Sequence, residues 1–310
     1  MKGKIVVLGA GFVGGALVRS LCSTGRGIRL FVRPHNQLSR LLGVLKDVEL
    51  AYGDFQDEGA VEAALEGVET VCHLITTTFP AQTIASGVYD VRSNLLPSIK
   101  LVELCLKGGV RDIIYLSSGG TIYGTPQFLP ITEDHPLRPV SLYGQSKAMI
   151  ESYFDFIART TPLKIKVLRG SNAYGPGQNP FGLQGIIPVA MGCLLIGRPI
   201  NVVAGEDYTR DFVYIDDVVN AIVRSLIHQE SLLANISSSR GVKISEVLEL
   251  IERIAGKSLL RNALPPRKGD VVSNVLDNTR ARRLLGWTPS VTIEEGIQRT
   301  WDWMKTTVRE

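Results

Sequence analysis

A tyrosine and a lysine stand four residues apart in YGQSK, at residues 143–147. On an α-helix that spacing puts both side chains on one face, so Tyr143 and Lys147 would meet the same ligand. A phenol with its usual pKa of about 10 is a poor base near neutral pH. A neighbouring ammonium group favours the ionised form, so the pair predicts removal of a proton from a substrate hydroxyl.

Upstream, LSSGGTIYG at 116–124 reads as a strand that opens into a glycine-rich loop. A base at Tyr143 needs a second hydroxyl to hold the substrate beside it, and the loop offers Ser118 and Thr121. Strand alternation would turn Ser118 to the face opposite Gly119. The adjacent glycines would also let the backbone close on a substrate.

The segment GAGFVG at 9–14 fits the G-x-G-x-x-G pattern and stands between a strand and a helix, as the pattern requires. Gly9 permits a tight turn, Gly11 lets the backbone approach a pyrophosphate, and Gly14 lets the helix pack on the strand. Free N–H groups at the helix N-terminus favour the anion. The motif predicts a bound dinucleotide, whose oxidised nicotinamide would favour the tyrosinate and whose ribose the lysine could reach.

The choice between NAD and NADP stays open. A carboxylate for the adenosine ribose is expected about 20 residues after the motif, but no Asp or Glu occurs between Gly9 and Asp47. The second strand instead ends at Arg33, whose forked donors could hold a 2′-phosphate, or which could be a solvated loop residue. Asp54 ends the third strand and could accept from the adenine amino group or cap a helix.

Strands and helices alternate through the first half of the chain. Short β-branched runs predict strands at 4–8, 28–32, 48–54, 69–75, 112–118 and 164–170. The segments between them predict a helix ending at Gly25 and further helices at 38–45, 61–67, 82–107 and 149–160. Such alternation implies an α/β fold with a Rossmann-like doubly wound parallel sheet, whose ligands bind at the carboxyl ends of the strands.

Beyond residue 170 the pattern changes, and we predict two domains. Turn-forming residues become frequent, and helices at 183–196, 216–228, 244–255 and 293–305 mix with short strands. Residues 1–170 are predicted to form an NAD(P)-binding domain, to which elements return around 212–236. Residues 171–211 and 237–310 are predicted to form a smaller C-terminal α/β domain that binds the substrate.

Composition narrows the class of protein. Charged residues make up 21% of the 310 residues and the formal net charge is +4, which is too mild for a nucleic-acid binder. The four cysteines are widely spaced without a CxxC pair, which predicts reduced thiols and neither a metal site nor disulfides. After the glycine motif no run of about 18 uncharged apolar residues predicts a membrane span. We expect a cytoplasmic protein.

Together these segments resemble the extended short-chain dehydrogenase/reductase family, especially its UDP-glucose (galactose) 4-epimerase-like nucleotide-sugar enzymes. The resemblance runs almost end to end. It rests further on GD at 53–54, HLI at 73–75, LRGSNAYGPGQ at 168–178, TRDFVYIDDV at 209–218, PPRKGDV at 265–271 and LGWTPSVTIEEGI at 285–297. It implies a nucleotide-sugar substrate, UDP-linked as our expectation, and a homodimer formed through the helices at 82–107 and 143–160.

The resemblance also implies further site residues. For the substrate they are Asn172 beside the sugar diphosphate, Arg210 and Arg267 on its phosphates, Asp270 on the uridine ribose, and Asn201 and Val203 at the nucleoside. For the cofactor they are Phe12, Val13, Phe55 and Leu74, besides Arg33, Asp54 and Lys147. His73 is expected to be a core residue, and Asn94 is a candidate for holding a water on a proton path.

The glycine-rich loop departs from the family. Relatives carry a Ser or Thr where this chain has Gly119, so the usual catalytic hydroxyl is missing. Because alternation turns Ser118 away from that face, we expect Thr121 to supply the hydroxyl, with Ser118 as the second candidate. Thr121 also matches a position that touches substrate in the epimerases.

The resemblance predicts a 4-epimerisation. Tyr143 would remove the O4 proton while the C4 hydride passes to the nicotinamide, and return of the hydride to the other face of a turned 4-keto sugar would complete the reaction. An NADP-dependent 4-ketoreductase is the alternative, favoured by Arg33, and a dinucleotide-binding redox sensor without turnover is a third. A 4,6-dehydratase is disfavoured because Gly120 and Thr121 stand where such relatives carry an Asp-Glu pair.

Overall fold

Strands and helices follow one another in the order that the sequence suggests. This computed structural model describes residues 3–36, 38, 41–79, 87–203, 208–265 and 271–307. Its strands are β1 (Lys4–Leu8), β2 (Ile28–Val32), β3 (Glu49–Tyr52), β4 (Val68–His73), β5 (Asp112–Ser118), β6 (Lys164–Gly170), β7 (Asn172–Tyr174), β8 (Ile200–Val203), β9 (Thr209–Tyr214), β10 (Leu232–Ile236), β11 (Gly241–Lys243), β12 (Arg261–Leu264) and β13 (Ser273–Asn274). Its helices are α1 (Phe12–Cys22), α2 (Glu58–Leu65), α3 (Gly87–Asp90), α4 (Leu96–Lys107), α5 (Leu142–Thr160), α6 (Ile186–Ile196), α7 (Ile215–Ser225), α8 (Ile244–Ala255), α9 (Thr279–Leu285) and α10 (Ile293–Thr307).

Seven of the described strands form one parallel sheet, in the spatial order β3-β2-β1-β4-β5-β6-β10. The order reverses beside β1, which therefore lies next to β4 although β2 and β3 come between them in the chain. In a doubly wound sheet, ligands bind beyond the carboxyl ends of the strands at such a reversal. The predicted Rossmann-like fold class is confirmed, and the glycine motif begins directly at the reversal.

Burial of both sheet faces explains why the central strand β1 is almost entirely apolar. Ile5 and Val7 of β1 pack into a core with α1 and α7, while Val6 and Leu8 pack into a second core with α2, α4 and α5. All four side chains are fully buried. Burying an aliphatic side chain of this size contributes about 1.5–3 kcal/mol relative to leaving it exposed, so this strand is held firmly at the base of the site.

The remaining described strands form small sheets on the substrate side. Strand β9 pairs with β7, β11 and β13, while β8 pairs with β12. This pairing sets Asn172 opposite Phe212, and it sets Arg210 between Val242 and Asn274. The chain then returns to the large sheet through β10. It remains a prediction that residues 1–170 form the cofactor-binding domain and that residues 171–211 and 237–310 form the substrate-binding domain.

Two predicted helices differ from the observed elements. Over 38–45 no α-helix forms in the described residues, which instead make turns followed by a short 3-10 helix at Leu45–Asp47. Leu38, Leu41, Val44 and Leu45 pack against the core from these turns, and of the described residues in the segment only Leu41 is buried. The long helix predicted at 82–107 is described from Gly87, and a π-helical segment at Val91–Leu95 separates α3 from α4.

All four cysteines are free thiols; Cys72 and Cys105 are buried, and Cys22 and Cys193 are partly buried. Within the described ranges, no helix has the length and apolar character needed to cross a bilayer.

Candidate active site

One cavity of about 930 Å³ lies beyond the carboxyl ends of β1, β4 and β5. The glycine motif forms one end, the loop after β5 and the first turns of α5 form the middle, and β7 and β9 form the other end. The predicted residues that line it are Gly9, Gly11, Phe12, Val13, Gly14, Arg33, Phe55, Leu74, Ser118, Thr121, Tyr143, Lys147, Asn172 and Arg210. Asp54, Asn201 and Val203 do not line it, and Arg267 and Asp270 lie outside the described residues.

The glycine motif has the shape that a dinucleotide requires. Gly9 adopts a φ of +103°, which side chains other than glycine rarely tolerate. A Cβ atom on Gly14 would lie 1.9 Å from the carbonyl oxygen of Gly9, whereas a Cβ atom on Gly11 would meet nothing within 4 Å. Gly11 is also the N-cap of α1, with no side-chain cap on the free amides. These residues therefore fit a pyrophosphate at the helix N-terminus.

Arg33 reaches the cavity from the end of β2, close to Asp54. Its Nε atom lies 3.1 Å from Asp54 Oδ2, and both side chains are about half exposed, at 51% and 44%. Asp54 also accepts the backbone N–H of Gln56 at 2.9 Å, which makes it a turn-stabilising residue. An exposed pair of this kind contributes about 1 kcal/mol or less, so the guanidinium can exchange its partner when an anion binds.

Tyr143 and Lys147 lie on one face of α5, as the spacing predicts. Ser141 caps the helix by accepting from the N–H of Gly144 at 3.1 Å. The Lys147 ammonium donates to the carbonyl of Leu116 at 3.0 Å, and Nζ lies 5.8 Å from the centre of the Tyr143 ring. This geometry puts the ammonium close to the phenol without a direct hydrogen bond between them.

Burial shifts both groups away from their ordinary titration ranges. Burial lowers the pKa of Lys147 to about 8, and the carboxylates of Glu151 and Asp90 oppose that effect. Burial also raises the pKa of Tyr143 to about 12, and hydrogen bonding with the Ser118 hydroxyl opposes it. Near neutral pH the chain alone thus holds an ammonium beside a protonated tyrosine. A positive charge arriving in the cavity would lower the pKa of the tyrosine.

The loop after β5 corrects the sequence-based choice of hydroxyl. A Cβ atom on Gly119 would lie 2.4 Å from Leu276 Cδ1, so this position faces the β13 side and not the cavity. Both Ser118 and Thr121 line the cavity, but hydrogen bonding from the Ser118 side chain lowers the pKa of Tyr143, whereas Thr121 Oγ1 donates to the carbonyl of Ser118 at 3.4 Å. The alternation argument was wrong because it assumed that Gly119 faces the substrate. We therefore propose Ser118 as the catalytic hydroxyl, with Thr121 as the second candidate.

Gly144 explains why that loop can lie so close to α5. A Cβ atom at this position would stand 2.6 Å from the carbonyl oxygen of Thr121 and 3.2 Å from Pro139 Cβ. Only a glycine after the tyrosine allows the loop to touch the first turn of the helix. Gly144 thereby allows the loop that carries Ser118 to lie close to Tyr143.

A group of buried polar residues behind the pair was missed from the sequence. The carboxylate of Asp90 accepts from Thr78 Oγ1, Ser146 Oγ and, at 3.0 Å, Asn94 Nδ2. A signal existed, because Asp90 precedes Asn94 by one helical turn and Ser146 stands between Tyr143 and Lys147. Asn94 lies in the π-helical segment, and its role in holding a water remains a prediction.

His73 is a core residue, as expected. Its Nε2 atom lies 2.9 Å from Ser98 Oγ, and its ring packs between Phe55 and Tyr115. Burial, and secondarily the charge of Lys147, lower the pKa of His73 to about 3, so the ring is neutral.

At the far end of the cavity Asn172 and Arg210 come from neighbouring strands. Asn172 Nδ2 donates to the carbonyl of Asp211 at 2.8 Å, and Arg210 Nη1 donates to the carbonyls of Thr209 at 2.9 Å and Val272 at 3.1 Å. These bonds hold a guanidinium and an amide against the cavity wall, where forked donors suit phosphate oxygens.

Comparison with known proteins identifies the family. The model of the NAD dependent epimerase/dehydratase family matches residues 5–236, which contain the glycine motif, Tyr143 and Lys147. The chain belongs to this family. It is therefore an enzyme of the NAD dependent epimerase/dehydratase family, and its cofactor is a nicotinamide dinucleotide.

Three members illustrate the range of the family. A UDP-glucose 4-epimerase of Thermotoga maritima, solved with UDP-glucose, is 32% identical with a TM-score of 0.92, covering 98% of this chain and 99% of its own. A UDP-glucose 4-epimerase of Thermus thermophilus, solved with NAD, is 31% identical with a TM-score of 0.91, and the match covers 98% of this chain and 100% of the epimerase. A dTDP-4-dehydro-6-deoxyglucose reductase of Escherichia coli is 31% identical over 304 residues, covering 96% of each chain. The family thus includes both candidate reactions.

Proposed function

We propose that this chain is a nucleoside-diphosphate-sugar 4-epimerase with a UDP-sugar as its substrate. The supporting observation is that one cavity joins the glycine motif, the Ser118, Tyr143 and Lys147 side chains, and Arg210. A dinucleotide at one end and a sugar diphosphate at the other would bring the nicotinamide and the sugar together at Tyr143. The epimerases among the relatives, which match over almost the whole chain, support the same assignment.

Within this proposal each residue of the central group has one task. The bound dinucleotide supplies a hydride acceptor and donor. The Tyr143 hydroxyl, once ionised, takes the proton from the sugar O4 and later returns one to it. The Ser118 hydroxyl holds the same O4 beside Tyr143, and the Lys147 ammonium stabilises the tyrosinate. Asn172 and Arg210 fix the diphosphate, so that either face of the sugar can be presented without losing the nucleotide.

The decisive test is turnover without added coenzyme. We expect purified protein to release a nicotinamide dinucleotide when denatured, and the native protein to convert UDP-glucose or UDP-N-acetylglucosamine to the 4-epimer, detected by chromatography. Product that forms only with stoichiometric NADPH would refute the epimerase and support the 4-ketoreductase. Dinucleotide binding by the wild type with neither reaction would indicate a redox sensor.

The ketoreductase is the second candidate because of two observations. Arg33 stands where the family usually has an acid, and the Escherichia coli reductase matches as well as the epimerases do. A reductase would take its hydride from a dissociable NADPH, which a guanidinium beside the adenosine would favour.

Arg33 is expected to control the preference between the two dinucleotides. In the variant Arg33→Asp we expect the ratio of the NADP Kd to the NAD Kd to rise about 10–100-fold, because a charge-assisted hydrogen bond of about 1.5–3 kcal/mol to the 2′-phosphate is lost. Titration of the purified chain with each dinucleotide, followed by tryptophan fluorescence, measures the ratio.

Asp54→Asn is the matched control for Arg33. Because its carboxylate neutralises Arg33 in the exposed pair, its removal is expected to strengthen NADP binding relative to NAD. Equal changes for both dinucleotides in the two variants would show that Arg33 is only a surface ion-pair residue.

We also propose a homodimer formed through the helices α4 and α5. Leu96 on α4 and Met149 and Phe156 on α5 are exposed at 51%, 36% and 51%, so these helices offer apolar side chains to a partner. Light scattering is expected to give twice the chain mass for the wild type and the chain mass for Phe156→Glu. A wild-type monomer at micromolar concentration would contradict the proposal.

A further inference from the structure

The carboxylate of Asp90 links two parts of the structure directly behind the site. The side chain is only 2% exposed and ends α3. One oxygen accepts from Thr78 and Asn94, and the other accepts from Ser146, which lies on α5 between Tyr143 and Lys147. Its partners in the described part of the chain are thus two hydroxyls and one amide, which satisfy its hydrogen bonds without neutralising its charge.

The π-helical segment makes this arrangement possible. Such segments widen the helix by one residue and are frequent at functional sites. Here the segment turns both Ser93 and Asn94 inward, and both are buried. Ser93 and Asn94 bond to Thr77 Oγ1 at 2.6 and 2.9 Å, and Asn94 also reaches Asp90. The carboxylate is therefore held in one place by residues from three separate segments.

The carboxylate, Lys147 and Tyr143 line one small space. It measures about 10 Å³ and is lined by Asp90, Asn94, Ser146, Tyr143 and Lys147, with Tyr115 and Thr78 among its other walls. That is about the volume of one water molecule, so bulk solvent cannot screen the charge. A buried charge acts on its neighbours more strongly than an exposed one at the same distance.

Several other titratable groups face Lys147, and the carboxylate of Glu151 favours its ammonium more strongly than that of Asp90 does. These groups are Tyr143 and Glu151 on the same helix, Tyr115 on β5 and His73 on β4. His73 and Tyr115 are neutral near pH 7, because burial lowers the pKa of the first and raises that of the second. Glu151 is already ion-paired with Arg169 at 2.7 Å. Among the described residues, Asp90 therefore adds a second negative charge beside the ammonium, and unlike Glu151 it has only neutral hydrogen-bond partners.

We infer that Asp90 is a positioning residue for the proposed reaction, which keeps Lys147 charged and holds the first turns of α5 through Ser146. The inference rests on the proposed function for its kinetic consequence but not for its electrostatic one. In the folded chain the carboxylate favours the ammonium of Lys147 and disfavours the tyrosinate of Tyr143. It thus raises the pH at which each of the two groups loses its proton.

Asp90→Asn keeps the shape and removes the charge. Both limbs of the pH profile of kcat are expected to move toward lower pH by about one unit, since Tyr143 and Lys147 then lose their protons more easily. Ser146→Ala, which keeps the charge, is expected to lower kcat without moving either limb. Asp112→Asn, which breaks the buried pair with Lys166 elsewhere in the sheet, is expected to change stability and leave the profile in place.

A measurement without substrate separates this inference from the proposed function. In protein with ¹³C-labelled lysine, the signal of Lys147, assigned with Lys147→Met, is expected to titrate about one pH unit lower in Asp90→Asn than in the wild type. This result would stand even if UDP-sugars were not turned over. In the wild type alone, Lys147 is expected to be protonated at pH 7, which tests the inference should the variant fail to fold.

Three outcomes would overturn the inference. The first is an unchanged Lys147 titration in Asp90→Asn, and the second is a Lys147 that is neutral at pH 7 in the wild type. The third is a loss of kcat by the same factor at every pH, which would leave Asp90 with a structural role only.

Discussion

Replacement of Tyr143 by phenylalanine is expected to lower turnover by about 10³-fold, the range in which a positioned general base contributes. The ring packs as before, but the oxygen that faces Ser118 and would take the O4 proton is gone. The fold and the glycine motif do not depend on that oxygen. Circular dichroism and dinucleotide titration are therefore expected to match the wild type, while kcat for the UDP-sugar collapses.

Tyr153→Phe on the same helix is the matched control for this variant. Tyr153 is partly buried, packs against the core formed with α2, α4 and α5, and does not line the cavity. Its variant is expected to keep turnover within about a factor of two. If Tyr143→Phe retained more than a tenth of wild-type turnover, Tyr143 would not be the base and the proposed mechanism would fail.

Local sequence signals predict the fold, the glycine motif and the pair of Tyr143 and Lys147. GAGFVG encodes much of its own turn, because Gly9 adopts a φ of +103° and Gly14 leaves room for the carbonyl of Gly9, five residues earlier. Tyr143 and Lys147 likewise share one face as soon as the segment that contains them forms a helix. A parallel strand with two buried faces favours a continuous apolar run, and this explains why β1 begins and ends where the sequence predicts.

The features that could not be predicted depend on distant partners or unusual backbone geometry. Gly119 faces away from the cavity because Leu276, more than 150 residues later, fills the space beside it. The Asp90 cluster depends on a π-helical segment that a 3.6-residue period does not reveal. Over 38–45 an apolar periodicity suggested a helix, but turns form there instead. In each case tertiary contacts decide between conformations that the local sequence leaves open.

The orientation of the loop after β5 leads to a prediction that separates Ser118 from Thr121. Ser118→Ala is expected to lower kcat about 100-fold, equal to about 2.7 kcal/mol of transition-state stabilisation, because no other side chain of the described loop interacts with the Tyr143 hydroxyl. Thr121→Val is expected to lower kcat by less than about threefold, since its hydroxyl donates only to the carbonyl of Ser118, at 3.4 Å. Steady-state kinetics of both variants on one UDP-sugar gives the comparison.

Ser118→Thr completes the set, because it keeps a hydroxyl at the same position and is expected to restore at least a tenth of wild-type turnover. A larger loss in Thr121→Val than in Ser118→Ala would return the catalytic hydroxyl to Thr121, as the strand-alternation argument held. Small losses in both would instead indicate that backbone donors at Gly119 and Gly120 hold the sugar. Because Gly119 already donates to the carbonyl of Gly170 at 2.9 Å, we expect Ser118 to carry the effect.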